Sequence, residues 1–575
     1  MFHYITISER DNERIKSKLL TINSSTHDIR NNSFAFINPS LTPDLILKQL
    51  IIKIYQIRLY YNQCINDNIF ILLDTNNNSI QYLVEEVFTL LNIRIILLDD
   101  KSNFMKIISK RIEKDDFTNR LYTRSYCNDC SSNYYTIFKH LLFLSNEEQR
   151  MENYQKDNNI NFNLENRVND IMLSITLDDI IIKDGSMGNS RLLNKKSLDS
   201  IVDDWAFNCN IYNKLQLIQL GIHILSKKIG FTNIQYITSL VLLSEIYYHQ
   251  DNKFHNFYHA IDVLQATHYL SSNWTNLESQ SSGGQEEHVN NMTLLISALL
   301  HDSAHTGSNN NLVSQNKDLI TQLHSSESPL ERIHFKMLSH IIKDLISNRP
   351  NKEPKSQNQK NINNNNINKN NSNSSYINDD DNLIEKTFQF NISEKLILAT
   401  DMQRHVEFIE RLKNFDLENY KNNGNESNSV DNSLFKYKMI IKAADISNVT
   451  RPLEISAQWG VRIAQEFKSY GLLTAESNNK KIPCNTTNRQ DDRIYNGMRL
   501  GELSVKDCVK LEPGVCKSQV FFIEVFARSF FISLRDKFIS ENGTLKQLVI
   551  NLEENYLFWQ KCVEANEKKD TEKLE

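Results

Sequence analysis

Apolar positions divide the chain into two regimes. Up to about residue 165, short apolar runs alternate with polar connectors. Ile69-Phe-Ile-Leu-Leu73 and Ile93-Arg-Ile-Ile-Leu-Leu-Asp99 are continuous enough to predict strands buried on both faces. Leu83 to Leu91, between them, has helical spacing, so residues 1–165 are expected to form a small α/β domain. Residues 166–200 read as a polar connector with an amphipathic stretch. From about residue 201 the period changes. Leu215, Ile218, Ile222 and Leu225 recur at helical intervals, with Gly230 placed to cap the C-terminus. Thr293 to Leu300, Ile333 to Ile346, Lys436 to Ala444, Ala457 to Tyr470 and Val520 to Phe538 repeat that pattern. Strand signals are scarce there. The fold class is therefore mainly α: an all-helical domain over residues 201–568 behind the small α/β domain.

Three polar stretches interrupt the helical half, near 271–290, 348–382 and 474–496. Each is too poor in apolar residues to order itself, so all three are expected to be mobile surface loops. Over the whole chain 40% of the 575 residues are hydrophobic, which permits a large core. The formal net charge of −5 lacks the basic footprint of a nucleic-acid binder. No apolar run reaches the ~18 residues of a membrane span. The first residues lack the basic and apolar regions of a signal peptide, and Phe2 does not suit N-myristoylation. Eight scattered cysteines fit reduced thiols in a cytoplasmic protein, with nuclear presence open, and Cys127-Asn-Asp-Cys130 is an isolated pair with no second half of a zinc site. No residue pattern specifies an oligomeric state or a role for the first 165 residues.

Ten of the fifteen histidines fall between 249 and 340. His255 and His259 are four apart, which on a helix places them on one face. His301-Asp302 ends an apolar run and is followed by His305, and Asp445 ends another. Two imidazoles and two carboxylates, His259, His301, Asp302 and Asp445, suit Zn²⁺, and a carboxylate oxygen can bridge to a harder neighbour such as Mg²⁺ or Mn²⁺. Such a pair can hold a bridging hydroxide for in-line displacement at phosphorus.

With these motifs, and with Tyr248–Thr267, Ala399–Met402, Ile441–Arg451 and Gln519–Glu524, the chain resembles the class I cyclic-nucleotide phosphodiesterases. Within that family it most resembles the high-affinity cAMP phosphodiesterases of fungi, over residues 200 to about 565. The resemblance implies hydrolysis of cAMP to 5′-AMP by a binuclear site. It implies His255 as the general acid at the leaving 3′-oxygen, and His259, His301, Asp302 and Asp445 as zinc ligands. Asp302 would bridge to the second metal, with His305, Glu331 and His334 around the metal-bound waters. Gln519 would meet the purine edge and Phe522 its face, with Ile463 on the opposite wall, and Asn448 and Trp459 match other pocket positions. Thr400 and Asp401 read as supporting groups.

Two departures stand out: Thr306 where the family usually has proline, and Ser456 where many animal relatives have tyrosine. Three alternatives stay open. The metal set alone also permits another HD-type nucleotide phosphohydrolase. A non-catalytic nucleotide sensor is the second, although it would be marked by a missing ligand or acid and none is missing. The third is a dual cAMP/cGMP enzyme, because a glutamine amide can present its donor and acceptor in either order.

Overall fold

The computed structural model describes residues 3–8, 33–37, 43–60, 69–74, 94–97, 174–180, 192–229, 234–248, 252–273, 284–307, 309–311, 327–347, 388–415, 426–477, 500–538 and 543–572. The two predicted strands form as β3 (Ile69–Asp74) and β4 (Arg94–Leu97). They join β1 (His3–Ser8) and β2 (Ser33–Ile37) in one parallel sheet of order β2-β1-β3-β4. Parallel strands need crossovers that cover the sheet faces. One of them, α1 (Pro43–Tyr60), lies on β1 and β2. Its Ile46 and Leu50 are fully buried. Part of the expected connector is a short helix, α2 (Leu177–Ile180), clamped to α1: Lys48 Nζ donates to the Ser174 carbonyl at 2.9 Å. The Leu83–Leu91 segment, Cys127, Cys130 and Gly230 lie outside the described residues.

Beyond residue 174 every regular element among the described residues is helical. In order these are α3 (Lys195–Val202), α4 (Lys214–Ile229), α5 (Ile234–Tyr247), α6 (Phe257–Asn273), α7 (Gly284–Leu300), α8 (Pro329–Ser347), α9 (Phe390–Ile397), α10 (His405–Lys413), α11 (Glu426–Asp445), α12 (Leu453–Ser477), α13 (Val505–Leu511), α14 (Val515–Phe522), α15 (Arg528–Lys537) and α16 (Gly543–Glu572). The α4 stripe Leu215, Ile218, Ile222 and Leu225 is buried throughout.

The polar insertions are shorter than their composition suggests. α6 continues to Asn273, α7 already begins at Gly284, and α12 runs to Ser477. Extending an existing helix adds one hydrogen bond per residue without a new nucleus, so polar residues at its ends are recruited. The remaining insertion residues, including all of 348–382, lie outside the described ones. Val520 to Phe538, expected as one helix, is broken by a π turn at Ile523–Ala527 between α14 and α15. The Phe526 carbonyl of that turn accepts a hydrogen bond from His405 Nε2 at 3.0 Å.

Two apolar clusters form the core. α6, α7 and α12 each present one stripe to each cluster: Ile261 and Leu264 against Val263 and Ala266, Leu295 and Leu299 against Leu294 and Ala298, Trp459 against Val461. These three helices occupy the seam, and their ends carry most of the chemistry-bearing side chains. The seam is locked by Arg451, fully buried, which donates to Asp262 Oδ1 at 3.1 Å, Gln265 Oε1 at 2.8 Å and the Trp205 carbonyl at 2.8 Å. Its guanidinium lies 4.2 Å from the Trp205 ring centroid.

Candidate active site

The first turn of α6 holds His259, the turn after α7 holds His301 and Asp302, and the last residue of α11 is Asp445. Residues from three helices separated by up to 186 positions thus converge. His259 Nε2 lies 3.2 Å from Asp445 Oδ1 and 3.6 Å from Asp302 Oδ2. His301 Nε2 lies 3.1 Å from Asp302 Oδ2 and 3.3 Å from Asp445 Oδ1. Donor atoms bonded to one Zn²⁺-like ion at ~2.0–2.2 Å, at angles of about 90–109°, are separated by roughly 2.8–3.6 Å. The four side chains therefore fit a divalent cation. His301 reinforces this. Its Nδ1–H donates to the Ala298 carbonyl at 2.9 Å, leaving Nε2 as the lone-pair nitrogen, buried and without a hydrogen-bond partner. A second group, Asp302, His305 and His334, shares Asp302 and also has ligand atoms within reach of one ion.

Electrostatics follow the same geometry. Burial resists charging His301, yet Asp302 and Asp445 hold its imidazole well above the usual range. Burial likewise opposes ionisation of Asp302, but the His301 cation holds it well below. Both shifts show that the two carboxylates favour positive charge beside them. Burial pushes His334 down to about 4 and, with the His255 cation, His305 well down, so both stay neutral. Burial, then the Asp401 charge, pushes Glu331 up to about 8. Asn310 bridges that pair, donating to Glu331 Oε2 at 2.8 Å and Asp401 Oδ1 at 3.4 Å, while Lys442 Nζ ties the Ala399 carbonyl to α11 at 3.0 Å.

His255 is not on the helix that its four-residue spacing from His259 predicted. It sits in the turn just before α6, because α6 starts only at Phe257. The two rings still lie 5.8 Å apart, edge to face. What holds His255 is a residue the sequence reading missed. Glu466, buried on α12, accepts a short hydrogen bond from His255 Nδ1 and others from the backbone N–H of Phe254 at 2.7 Å and of His255 at 3.1 Å. This directs Nε2 away from Glu466. Burial disfavours the His255 cation, but Glu466 outweighs it and raises the imidazole to about 9, while Glu466 itself is held near 2. The His305 ring stacks on His255 at 3.9 Å, and the Gly307 N–H donates to its Nδ1 at 3.0 Å. Ala304, between Asp302 and His305, has φ of 63°, a left-handed conformation unusual for alanine.

The remaining candidates lie on α12, α14 and the 3₁₀ turn Ser447–Thr450. Trp459 is buried and packs on Phe254 and His259, so it backs the His259 imidazole. Asn448 is half-buried in the 3₁₀ turn, and Ile463 is half-buried one turn of α12 beyond Trp459. Gln519 is buried on α14 with its Oε1 unpaired, and half-buried Phe522 lies one turn further, with its ring 5.6 Å from Phe526.

The sequence model of the 3′5′-cyclic nucleotide phosphodiesterase family matches residues 254–548, more than half of the chain and all of this site from Phe254 onward. The chain belongs to that family. It is 28% identical over 379 residues to 3′,5′-cyclic-nucleotide phosphodiesterase 2 of Saccharomyces cerevisiae, covering 63% of this chain and 60% of that protein. A Drosophila melanogaster relative, the high affinity cAMP-specific and IBMX-insensitive 3′,5′-cyclic phosphodiesterase 8, is 26% identical over 42% of this chain and 22% of its own length. The chain therefore spans less than two thirds of these relatives. The crystal structure of yeast caPDE2 in complex with IBMX has the same fold, with a TM-score of 0.63 at 20% identity, covering 98% of this chain and 100% of that one.

Proposed function

We propose that this chain hydrolyses 3′,5′-cyclic nucleotides to 5′-nucleoside monophosphates, with cAMP its preferred substrate, and that residues 201–568 are the catalytic domain. The observation that carries the reading is the convergence of His259, His301, Asp302 and Asp445 beside a histidine held as a cation by Glu466. Zn²⁺ would be held by those four side chains, and Mg²⁺ or Mn²⁺ beside Asp302 with water. When bound, such ions neutralise phosphate charge and acidify water.

The protein's own groups supply the rest. His255 Nε2 gives its proton to O3′ as the P–O3′ bond breaks, while the water that forms the new P–O bond loses one to solvent, from which His255 is re-protonated. Glu466 holds Nδ1, so the proton that leaves is the one on Nε2. His305, Glu331 and His334 lie around the site as neutral or proton-carrying partners for ordered water. Gln519 hydrogen-bonds the purine edge, and Phe522 and Ile463 meet its faces, with Asn448 nearby and Trp459 backing His259. The preference for cAMP draws support from the Drosophila relative, whose name states cAMP specificity. A dual cAMP/cGMP enzyme is the second reading, favoured by the unpaired Gln519 Oε1, because an amide can present its donor and acceptor in either order. No helix among the described residues is long and apolar enough to cross a membrane, in keeping with a cytoplasmic site of action.

The test is product analysis. Metal-loaded protein should release 5′-AMP from cAMP, with a higher kcat/KM than for cGMP. Absence of 5′-AMP would end the reading, and equal kcat/KM values would select the dual enzyme.

A further inference from the structure

Glycine is a poor choice for the interior of a long helix, yet Gly460 sits inside α12 (Leu453–Ser477). A neighbouring helix explains it. A β-carbon at Gly460 would lie 2.9 Å from Val515 Cγ2, 3.1 Å from Gln519 Cδ and 3.2 Å from Gln519 Cγ. The amide-bearing end of Gln519 thus rests on the bare backbone of α12, where any other residue would intrude. Trp459 Nε1, on the adjacent residue, is buried without a partner, and so are two further polar atoms of these two helices. Gln519 Oε1 is one, and the Oγ of Ser456, one turn before Gly460 on α12 and therefore on the same face, is the other. Unpaired buried polar groups are costly, and a ligand edge can satisfy them.

We propose that Gly460 is a specificity-determining position: its missing side chain seats the Gln519 amide against α12 and so sets where the purine edge is read. This rests on the reading of Gln519 as the base contact. The neighbouring residue on the chain, Trp459, packs on His259, so the seat of the base reader and the support of a metal ligand are consecutive residues of one helix. A methyl at 460 must displace Val515 and push the amide off α12, while α12 itself gains a better helix former.

The experiment uses the full chain. Gly460→Ala should raise the KM for cAMP about five-fold, the loss expected for one neutral hydrogen bond. Its kcat should stay within about two-fold, and turnover of the base-free diester bis(4-nitrophenyl) phosphate should be unchanged. Gln519→Ala is measured beside it. A raised KM in Gln519→Ala with an unchanged KM in Gly460→Ala overturns the inference alone. An unchanged KM in Gln519→Ala overturns the base-contact reading and the inference with it. A loss on cAMP and on the base-free diester to the same degree also overturns it, because the methyl would then be acting on the whole site.

Discussion

Replacing Glu466 with glutamine keeps the shape of a buried side chain and removes one charge. The rise of His255 from 6.5 to about 9 corresponds to roughly 3 kcal/mol favouring its cation. Burial works against that cation. Glu466 provides the leading attraction, followed by Asp302 and Asp445, whose charges bound cations would neutralise. Without Glu466, His255 should titrate no higher than its ordinary value near 6.5. A raised value means that the proton persists, and with it the acid, until pH rises through about 9, so the wild-type rate should decline only in that region. At pH 8 the protonated fraction would fall from about nine-tenths to about 3%, a loss near 30-fold in kcat, whereas at pH 6 the loss should be less than two-fold. The assay is kcat for cAMP between pH 6 and 10, followed by chromatographic release of 5′-AMP at matched metal content. If Glu466→Gln loses the same factor at pH 6 as at pH 8, or keeps the wild-type alkaline limb, Glu466 does not set the charge of His255.

His301→Ala should lose both bound divalent metal, measured by elemental mass spectrometry, and turnover, whereas His255→Ala should keep its metal and lose about 10²–10⁴-fold in kcat. Removal of metal by a chelator should abolish activity, and adding back Zn²⁺ with Mg²⁺ or Mn²⁺ should restore it. Arg451→Met strips the partner from buried Asp262 and should cost about 3–5 kcal/mol in chemical denaturation, with less than 1 kcal/mol speaking against the lock. Ala304→Gly should hold or raise Tm, because a left-handed alanine is strained by about 1–2 kcal/mol. The ordinary loss for alanine to glycine would show that no strain is present.

The helices were legible because their apolar stripes recur over many turns, and β3 and β4 because short dense apolar runs leave little alternative. The convergence of His259, His301, Asp302 and Asp445 was legible because His and Asp rarely coincide at the ends of apolar helices, whereas His255 was singled out by the family resemblance. Glu466 was not. It lies 211 positions from His255 in an otherwise ordinary stretch of α12, and nothing local distinguishes it from a surface glutamate. The turn that removes His255 from α6 was also hidden, since a four-residue spacing suits either conformation. The π turn at Ile523–Ala527 has no local sequence mark, because its Phe526 carbonyl is met by His405 from 121 positions away. Gly460 was visible as a glycine, but its reason lies on another helix.

Arg451 has a consequence for how this protein could acquire its ions. The turn from Asp445 to Arg451 is anchored on α6 at its far end by Asp262 and Gln265, and His301 is aimed by a carbonyl of α7, the helix it follows. None of these bonds involves a metal ion. Scaffolding of this kind stands before loading, unlike a zinc finger whose folding waits for its ion. Ions could then be exchanged in the assembled molecule, and which metal occupies each position would follow the supply in its surroundings and not the moment of folding.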